Sequence, residues 1–141
     1  MIVLDTDIIS LLDRQSDQPF EALTRRLSAS VEDRVCVTII SFEEQMRGWL
    51  SYIAASRTSS RQIEGYGRLQ KMLAWYQRQE ILPFDPAASA IFESLRRSRL
   101  KLGTMDLRIA AVVRAHDALL ISGNTKGFKL VPGLRVEDWT R

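Results

Sequence analysis

Short apolar runs alternate with longer amphipathic stretches along this chain. "IVLD" at the N-terminus, "RVCVTII", "EILPF" and "ALLIS" are rich in apolar and β-branched residues, and "LRVED" near the C-terminus is a candidate fifth run. Continuous apolar runs of this length are typical of strands in a parallel sheet that is covered on both faces. The pattern therefore predicts four to five strands.

Helices are predicted between these strands. Apolar spacing indicates helices over about 20–30, 41–56, 63–78 and 85–100, another over "TMDLRIAAVVRAH", and a helix that starts near Ile8. Asp85 before Pro86 is a strong helix start, and Thr104 is a candidate cap. This alternation predicts an α/β fold in one domain, 1–141, with a mostly parallel, twisted sheet and helices on both faces.

Polar side chains recur where the predicted strands end. Asp5 and Asp7 follow the first strand, Glu44 lies just after the second, and Asn124 follows the fourth. Asp106 lies at the end of an apolar helix stripe and is expected to face inward. The carboxyl ends of parallel strands share one edge of a sheet, where ligands bind. Converging carboxylates repel one another unless a cation neutralises them, so the pattern predicts a hard divalent ion such as Mg²⁺ or Mn²⁺.

Each of these residues also has an ordinary structural alternative. Asp5 or Asp7 can cap the helix that starts near Ile8. Ser41 and Glu44 form an S-x-x-E capping box, and Asp106 can compensate a helix dipole. Local sequence leaves these alternatives open.

Composition narrows the chemistry further. The 141 residues are 45% hydrophobic and 26% charged, with a net charge of +3, which suits an acidic partner but does not require one. A single cysteine, Cys36, and a single histidine, His116, exclude an internal disulfide and a zinc site. With no signal peptide and no apolar run long enough for a membrane span, a cytoplasmic location is expected.

Basic and aromatic residues are candidates for binding a nucleic acid. Phosphate contacts from lysine and arginine give affinity, and aromatic rings can stack bases. The alternatives are solvated helix faces for the basic residues, and helix packing or a dimer interface for the rings. The candidates are Arg96 to Lys101; Arg57, Arg61, Arg68 and Lys71; and Trp49, Tyr52, Trp75 and Tyr76.

Four segments, in order, resemble the PIN domain, and specifically the VapC-type toxins of prokaryotic toxin–antitoxin pairs. They are "LDTDIIS", "TIISFEEQMRG", "LGTMDLRIAAVVRAHDALLISGNTKGF" and "VPGLRVEDW". The resemblance selects Asp5, then Glu44 four residues before Gly48, then Asp106, with Asn124 as a fourth polar position. The family often has an acid immediately before the phenylalanine of "TKGF", where this chain has Gly127.

The resemblance implies a three-layer PIN-like fold and a Mg²⁺- or Mn²⁺-dependent endoribonuclease. Asp5, Glu44 and Asp106 would bind the metal, and Asn124 would support it. RNA (tRNA or another structured RNA), a cognate antitoxin and a homodimer are the implied partners. Two alternatives remain open: a catalytically weak or inactive PIN-like module that binds RNA or a partner, and a haloacid-dehalogenase-type phosphatase suggested by "LDTD". The phosphatase alternative lacks an acidic pair after "ALLIS".

Overall fold

A computed structural model of the chain describes residues 1–14 and 17–141, and its centre is a five-stranded sheet in the order β3-β2-β1-β4-β5. Every neighbouring pair is parallel, and Val3 of the central strand pairs with Cys36 on one side and Leu120 on the other. The strands are β1 (Ile2–Leu4), β2 (Val35–Thr38), β3 (Glu80–Leu82), β4 (Leu119–Ile121) and β5 (Arg135–Glu137). The predicted parallel α/β architecture is confirmed.

Seven helices surround this sheet in the described part of the chain. They are α1 (Thr6–Arg14), α2 (Gln18–Ala29), α3 (Ile39–Ala55), α4 (Ser59–Gln77), α5 (Pro86–Arg97), α6 (Thr104–Ala115) and α7 (Thr125–Phe128). Within residues 1–14 and 17–141, none of them has both the length and the apolar character that a bilayer crossing requires.

Alternate residues of β1 enter two different cores, which explains why its sequence is apolar without interruption. Val3 packs in a cluster with residues of α5 and α6, such as Phe92 and Ile109. Ile2 and Leu4 pack on the opposite face with residues of α1, α2 and α4. Helices therefore cover both faces, as predicted.

Helix starts were predicted with mixed success. Asp85 caps α5 as expected, because its Oδ1 accepts a hydrogen bond from the Ala88 N–H at 2.9 Å. The prediction that Thr104 caps α6 is wrong, because Gly103 occupies the cap position and has no side chain to accept a hydrogen bond. The Ser41 capping box was also wrong: α3 follows β2 directly, and Thr38 is its cap, accepting from the Ser41 N–H at 3.1 Å. Ser41 and its neighbours are thereby left inside the first turns of α3.

Candidate active site

The ladder between β1 and β4 ends at Asp5, whose N–H donates to the Ile121 carbonyl. Asp5 is only 4% exposed. Its Oδ1 accepts from the Thr6 N–H at 2.8 Å, and its Oδ2 accepts from the Ser122 hydroxyl at 2.8 Å. Within residues 1–14 and 17–141, no lysine or arginine forms an ion pair with it. Asp5 is thus a fixed, buried carboxyl group with neutral donors only.

The acids selected from the sequence act on one another electrostatically. Burial, and then the charges of Asp7 and Asp106, raise the pKa of Asp5 to about 7. Burial raises the pKa of Glu44, and so do the charges of Asp106 and Asp7. Burial and Asp7 likewise raise the pKa of Asp106. Four carboxyl groups, one at the end of β1 and one each in α1, α3 and α6, therefore share one electrostatic field at the carboxyl edge of the sheet.

A hydroxyl network links Glu44 to the end of β1. The Thr6 hydroxyl lies 2.8 Å from Glu44 Oε1 and 2.9 Å from the buried Ser41 Oγ. Because the carboxylate can only accept, Thr6 donates its single hydroxyl proton to Glu44. Glu43, by contrast, pairs with Arg47 one turn further along α3, at 2.6 Å. This geometry separates the two adjacent glutamates, which local sequence could not do.

Replacing Thr6 with valine should weaken the hold on Glu44. We expect a loss of about 1–2 kcal/mol in the free energy of unfolding, because Ser41 and Glu44 lose a hydrogen-bond partner. We also expect the pKa of Glu44 to rise further, since the Thr6 hydrogen bond lowers it. Carboxyl NMR titration and urea unfolding measure both effects. Thr6→Ser keeps the hydroxyl and is the control; a Glu44 titration curve that is the same in Thr6→Val and in wild type would contradict this geometry.

Asp7 does not cap α1, because the helix already starts at Thr6 and the Asp5 carbonyl accepts from the N–H groups of Ile8 and Ile9. Instead, Asp7 Oδ2 accepts from the Gly123 N–H at 2.9 Å, across the edge of the sheet. A Cβ at position 123 would lie 2.7 Å from that oxygen, so only glycine allows this approach. Asp7 is therefore an additional acid of the site, and it holds the loop after β4.

Asn124 is exposed and caps α7, since its Oδ1 accepts from the Gly127 N–H at 3.2 Å. Its own N–H donates to Ser122 Oγ at 2.9 Å, and Ser122 donates to Asp5. Asn124 thus connects to Asp5 through the Ser122 hydroxyl, while its amide group is engaged in the cap.

Gly127 and Asn124 occupy the same space. A Cβ at position 127 would lie 2.6 Å from Asn124 Nδ2 and 3.0 Å from Leu102 Cδ1. An acid at this position therefore conflicts with the Asn124 cap. In this chain the Asn124 side chain fills the space that a side chain at position 127 would need, and Gly127 leaves that space free.

We expect Gly127→Asp to destabilise the chain by about 1–2 kcal/mol, because it displaces the Asn124 cap. Gly67→Asp is the matched control, since no atom lies within 4 Å of a Cβ built there. Urea unfolding measures both. Because the two side chains compete for one space, the double variant Asn124→Ala/Gly127→Asp should lose less than the sum of the single variants. Equal effects of aspartate at 127 and at 67 would contradict the proposed conflict.

The donor set suits a hard cation, although the acids do not form a ready-made cage. All candidate ligands are oxygen atoms, which Mg²⁺ and Mn²⁺ prefer. Within the described part of the chain, no three side chains of the His, Cys, Asp and Glu types stand close enough to hold an ion as positioned. Mg²⁺ usually keeps several waters and uses one or two carboxylates, so the buried, cation-free Asp5 with its acidic neighbours still fits such an ion.

A comparison with known protein families identifies the family of this chain. The model of the PIN domain family matches residues 2–134, and this chain belongs to that family. The earlier phosphatase alternative is therefore set aside.

Named relatives of this chain are VapC proteins. It is 26% identical over 141 residues to Ribonuclease VapC2 of Haemophilus influenzae, covering 97% of this chain and 96% of that protein. It is also 26% identical over 110 residues to the tRNA(fMet)-specific endonuclease VapC of Salmonella typhimurium, covering 75% and 76%. Among solved structures, a chain of VapBC-1 from nontypeable Haemophilus influenzae has a similar fold, with a TM-score of 0.75 and 24% identity. The match covers 100% of this chain and 100% of that chain.

Proposed function

We propose that this chain is a Mg²⁺- or Mn²⁺-dependent endoribonuclease and the toxin of a toxin–antitoxin pair. One observation carries the proposal: Asp5 is buried without a cationic partner among the described residues, and the charges of Asp7 and Asp106 at the same edge of the sheet raise the pKa of both Asp5 and Glu44. A buried carboxylate without a cationic partner is costly, and a divalent ion removes that cost.

Asp5, Glu44 and Asp106 would hold the ion, directly or through water. A bound Mg²⁺ supplies Lewis-acid polarisation of the scissile phosphate and lowers the pKa of a water. The chain's own hydroxyl groups keep the acids in place. Ser122 and the Thr6 N–H fix both oxygens of Asp5, and the Thr6 hydroxyl orients Glu44. Asn124 acts as a positioning residue, because its N–H orients the Ser122 hydroxyl.

RNA is the proposed substrate class. Relatives carry names that specify ribonuclease activity, and one specifies tRNA(fMet). At 26% identity this supports RNA, including tRNA or another structured RNA, without fixing the cleavage site.

A protein partner is supported by an apolar surface on α3 and α4. Leu50, Ile63, Tyr66 and Leu73 are exposed, with Ile63 at 73%. Exposed apolar patches of this kind commonly mark protein interfaces. We propose a cognate antitoxin there, because solved structures of similar fold are VapBC toxin–antitoxin complexes. The homodimer and the cytoplasmic location stay predictions from the sequence.

A second candidate is a PIN-like module that binds RNA or a partner but cuts poorly. The lack of a ready-made three-acid cage in the described residues favours it, as does Gly127 in place of an acid. Mn²⁺ titration distinguishes the nuclease from the poorly cutting module, because acids that do not form a catalytic metal site should bind Mn²⁺ weakly.

The proposed function is tested by incubating the purified chain with total RNA, with Mg²⁺ or with chelator. Discrete fragments with 5′-phosphate and 3′-hydroxyl ends are expected with Mg²⁺ only. Equal cleavage in chelator would contradict metal dependence, and intact RNA under both conditions, with weak Mn²⁺ binding, would favour the second candidate.

A further inference from the structure

A groove of about 1100 Å³ lies between α1, α3 and α4 and reaches the acidic site at Asp7. We name it the aromatic groove, after Trp49, Tyr52 and Trp75 in its wall. Pockets for small ligands commonly measure about 300–1,000 Å³. At about 1100 Å³ the aromatic groove slightly exceeds that range, so it suits an extended ligand that also passes the acids.

Positive charge dominates the groove away from the acidic site. Arg14, Arg68, Lys71 and Arg78 line it, against the carboxylates of Asp7 and Asp13. Asp13 is already paired with Arg68, at 3.3 Å. Such a lining attracts a polyanion, and phosphate contacts from lysine and arginine give affinity for RNA of any sequence.

The aromatic rings of the groove are placed to accept bases. Trp49 and Tyr52 meet edge to face, with ring centroids 5.6 Å apart, and Trp75 meets Tyr76 in the same way at 5.0 Å. Tyr76 is buried and donates its hydroxyl to Gln45, so it serves packing. Trp49, Tyr52 and Trp75 are only half-buried and line open space.

Gly48 keeps part of the groove open. It lies in α3 and lines the groove, and no atom lies within 4 Å of a Cβ built there. Gly67 in α4 has the same free space but does not line the groove. The chain therefore offers two helical glycines that differ in this one respect.

We propose that the aromatic groove binds a single-stranded segment of RNA next to the phosphodiester that is cut at the acidic site. Lys71 and the arginines contact its phosphates, and Trp49 and Trp75 stack on its bases. The inference rests on the proposed ribonuclease function. It assigns RNA contact to Arg68 and Lys71 among the basic residues picked from the sequence, since Arg57, Arg61 and the segment from Arg96 to Lys101 do not line the groove.

The test is the affinity for a fluorescein-labelled, unstructured RNA of about 12 nucleotides, a length that spans a typical single-strand site. Anisotropy is measured in chelator, so that no RNA is cut. We expect Gly48→Leu to weaken binding at least tenfold, because its side chain fills the groove, and Gly67→Leu to bind within twofold of wild type. A Cβ meets no atom within 4 Å at either glycine, so we expect both variants to fold, which thermal melting checks.

Stacking and charge give independent readouts. Trp49→Ala and Trp75→Ala should each weaken binding about 5- to 100-fold, and RNA should quench the tryptophan fluorescence of wild type. In Lys71→Glu the affinity should fall less steeply with salt: the magnitude of the slope of log affinity against log salt should decrease by about 1 or more.

Wild-type affinity in folded Gly48→Leu would overturn the groove proposal. If wild type still cuts total RNA in that case, the proposed function stands and the groove does not bind substrate. If wild type binds RNA through the groove but cuts nothing, RNA binding by the groove stands, and the nuclease function and the placement of a cut phosphodiester beside the groove both fall.

Discussion

Asp5→Asn should lower Mg²⁺-dependent RNA cleavage by about 10³-fold, because it removes the buried charge that the proposed metal site depends on. The change is nearly isosteric, and the amide still has the Thr6 N–H and the Ser122 hydroxyl as neighbours. The fold should therefore survive. Initial cleavage rates on total RNA at saturating Mg²⁺ provide the measurement.

Asp33→Asn is the matched control for that experiment. Asp33 is an exposed acid just before β2, and its carboxylate lies 3.8 Å from the N-terminal amine of Met1, so it lies at the opposite edge of the sheet from Asp5. Its replacement should leave the cleavage rate unchanged. Wild-type cleavage by purified Asp5→Asn would end the assignment of Asp5 to the metal site.

The metal-free chain should lose stability as the pH rises from about 4 to about 7. Asp5 has a pKa of about 7 in the folded state and an ordinary value of 3.8, so over this window the folded state binds more protons than the unfolded state. Raising the pH then lowers the free energy of unfolding, by up to about 1.4 kcal/mol per pH unit for one such group. The raised pKa values of Glu44 and Asp106 act in the same direction.

A divalent ion should reverse this loss, because it neutralises the ionised acids above pH 7. Urea unfolding of wild type at pH 5 to 8, in chelator and in Mn²⁺, measures the effect. Asp5→Asn should show a shallower pH profile and less stabilisation by Mn²⁺, and above pH 7 in chelator it should be more stable than wild type. A profile that is flat in wild type, or identical in the two proteins, would contradict the account.

The sequence predicts the parts of the site that follow from strand order. An uninterrupted apolar run ending in Asp5 indicates a central strand, and parallel strands bring Asp5 and the end of β4 to one edge. The register of Leu4 opposite Ile121 then sets Ser122 beside Asp5. Ser122 was missed because that register is a property of the assembled sheet and not of either strand alone.

Other features depend on contacts that no local pattern contains. The Ser41–Glu44 spacing predicts a capping box, but β2 runs directly into α3 and Thr38 takes the cap. Ser41 is then free to meet Thr6, 35 residues away. The contact of Asp7 with Gly123 likewise joins residues 116 positions apart, and the aromatic groove needs three helices in place.

The central claim is that Asp5, Glu44 and Asp106 share one divalent ion. Anomalous diffraction from a crystal of the chain soaked in Mn²⁺ tests it most directly. We predict a single strong peak at the carboxyl edge of the sheet, contacted by these acids directly or through ordered water, and absent from crystals of Asp5→Asn. A peak elsewhere, or none at this edge in wild type, would contradict the claim.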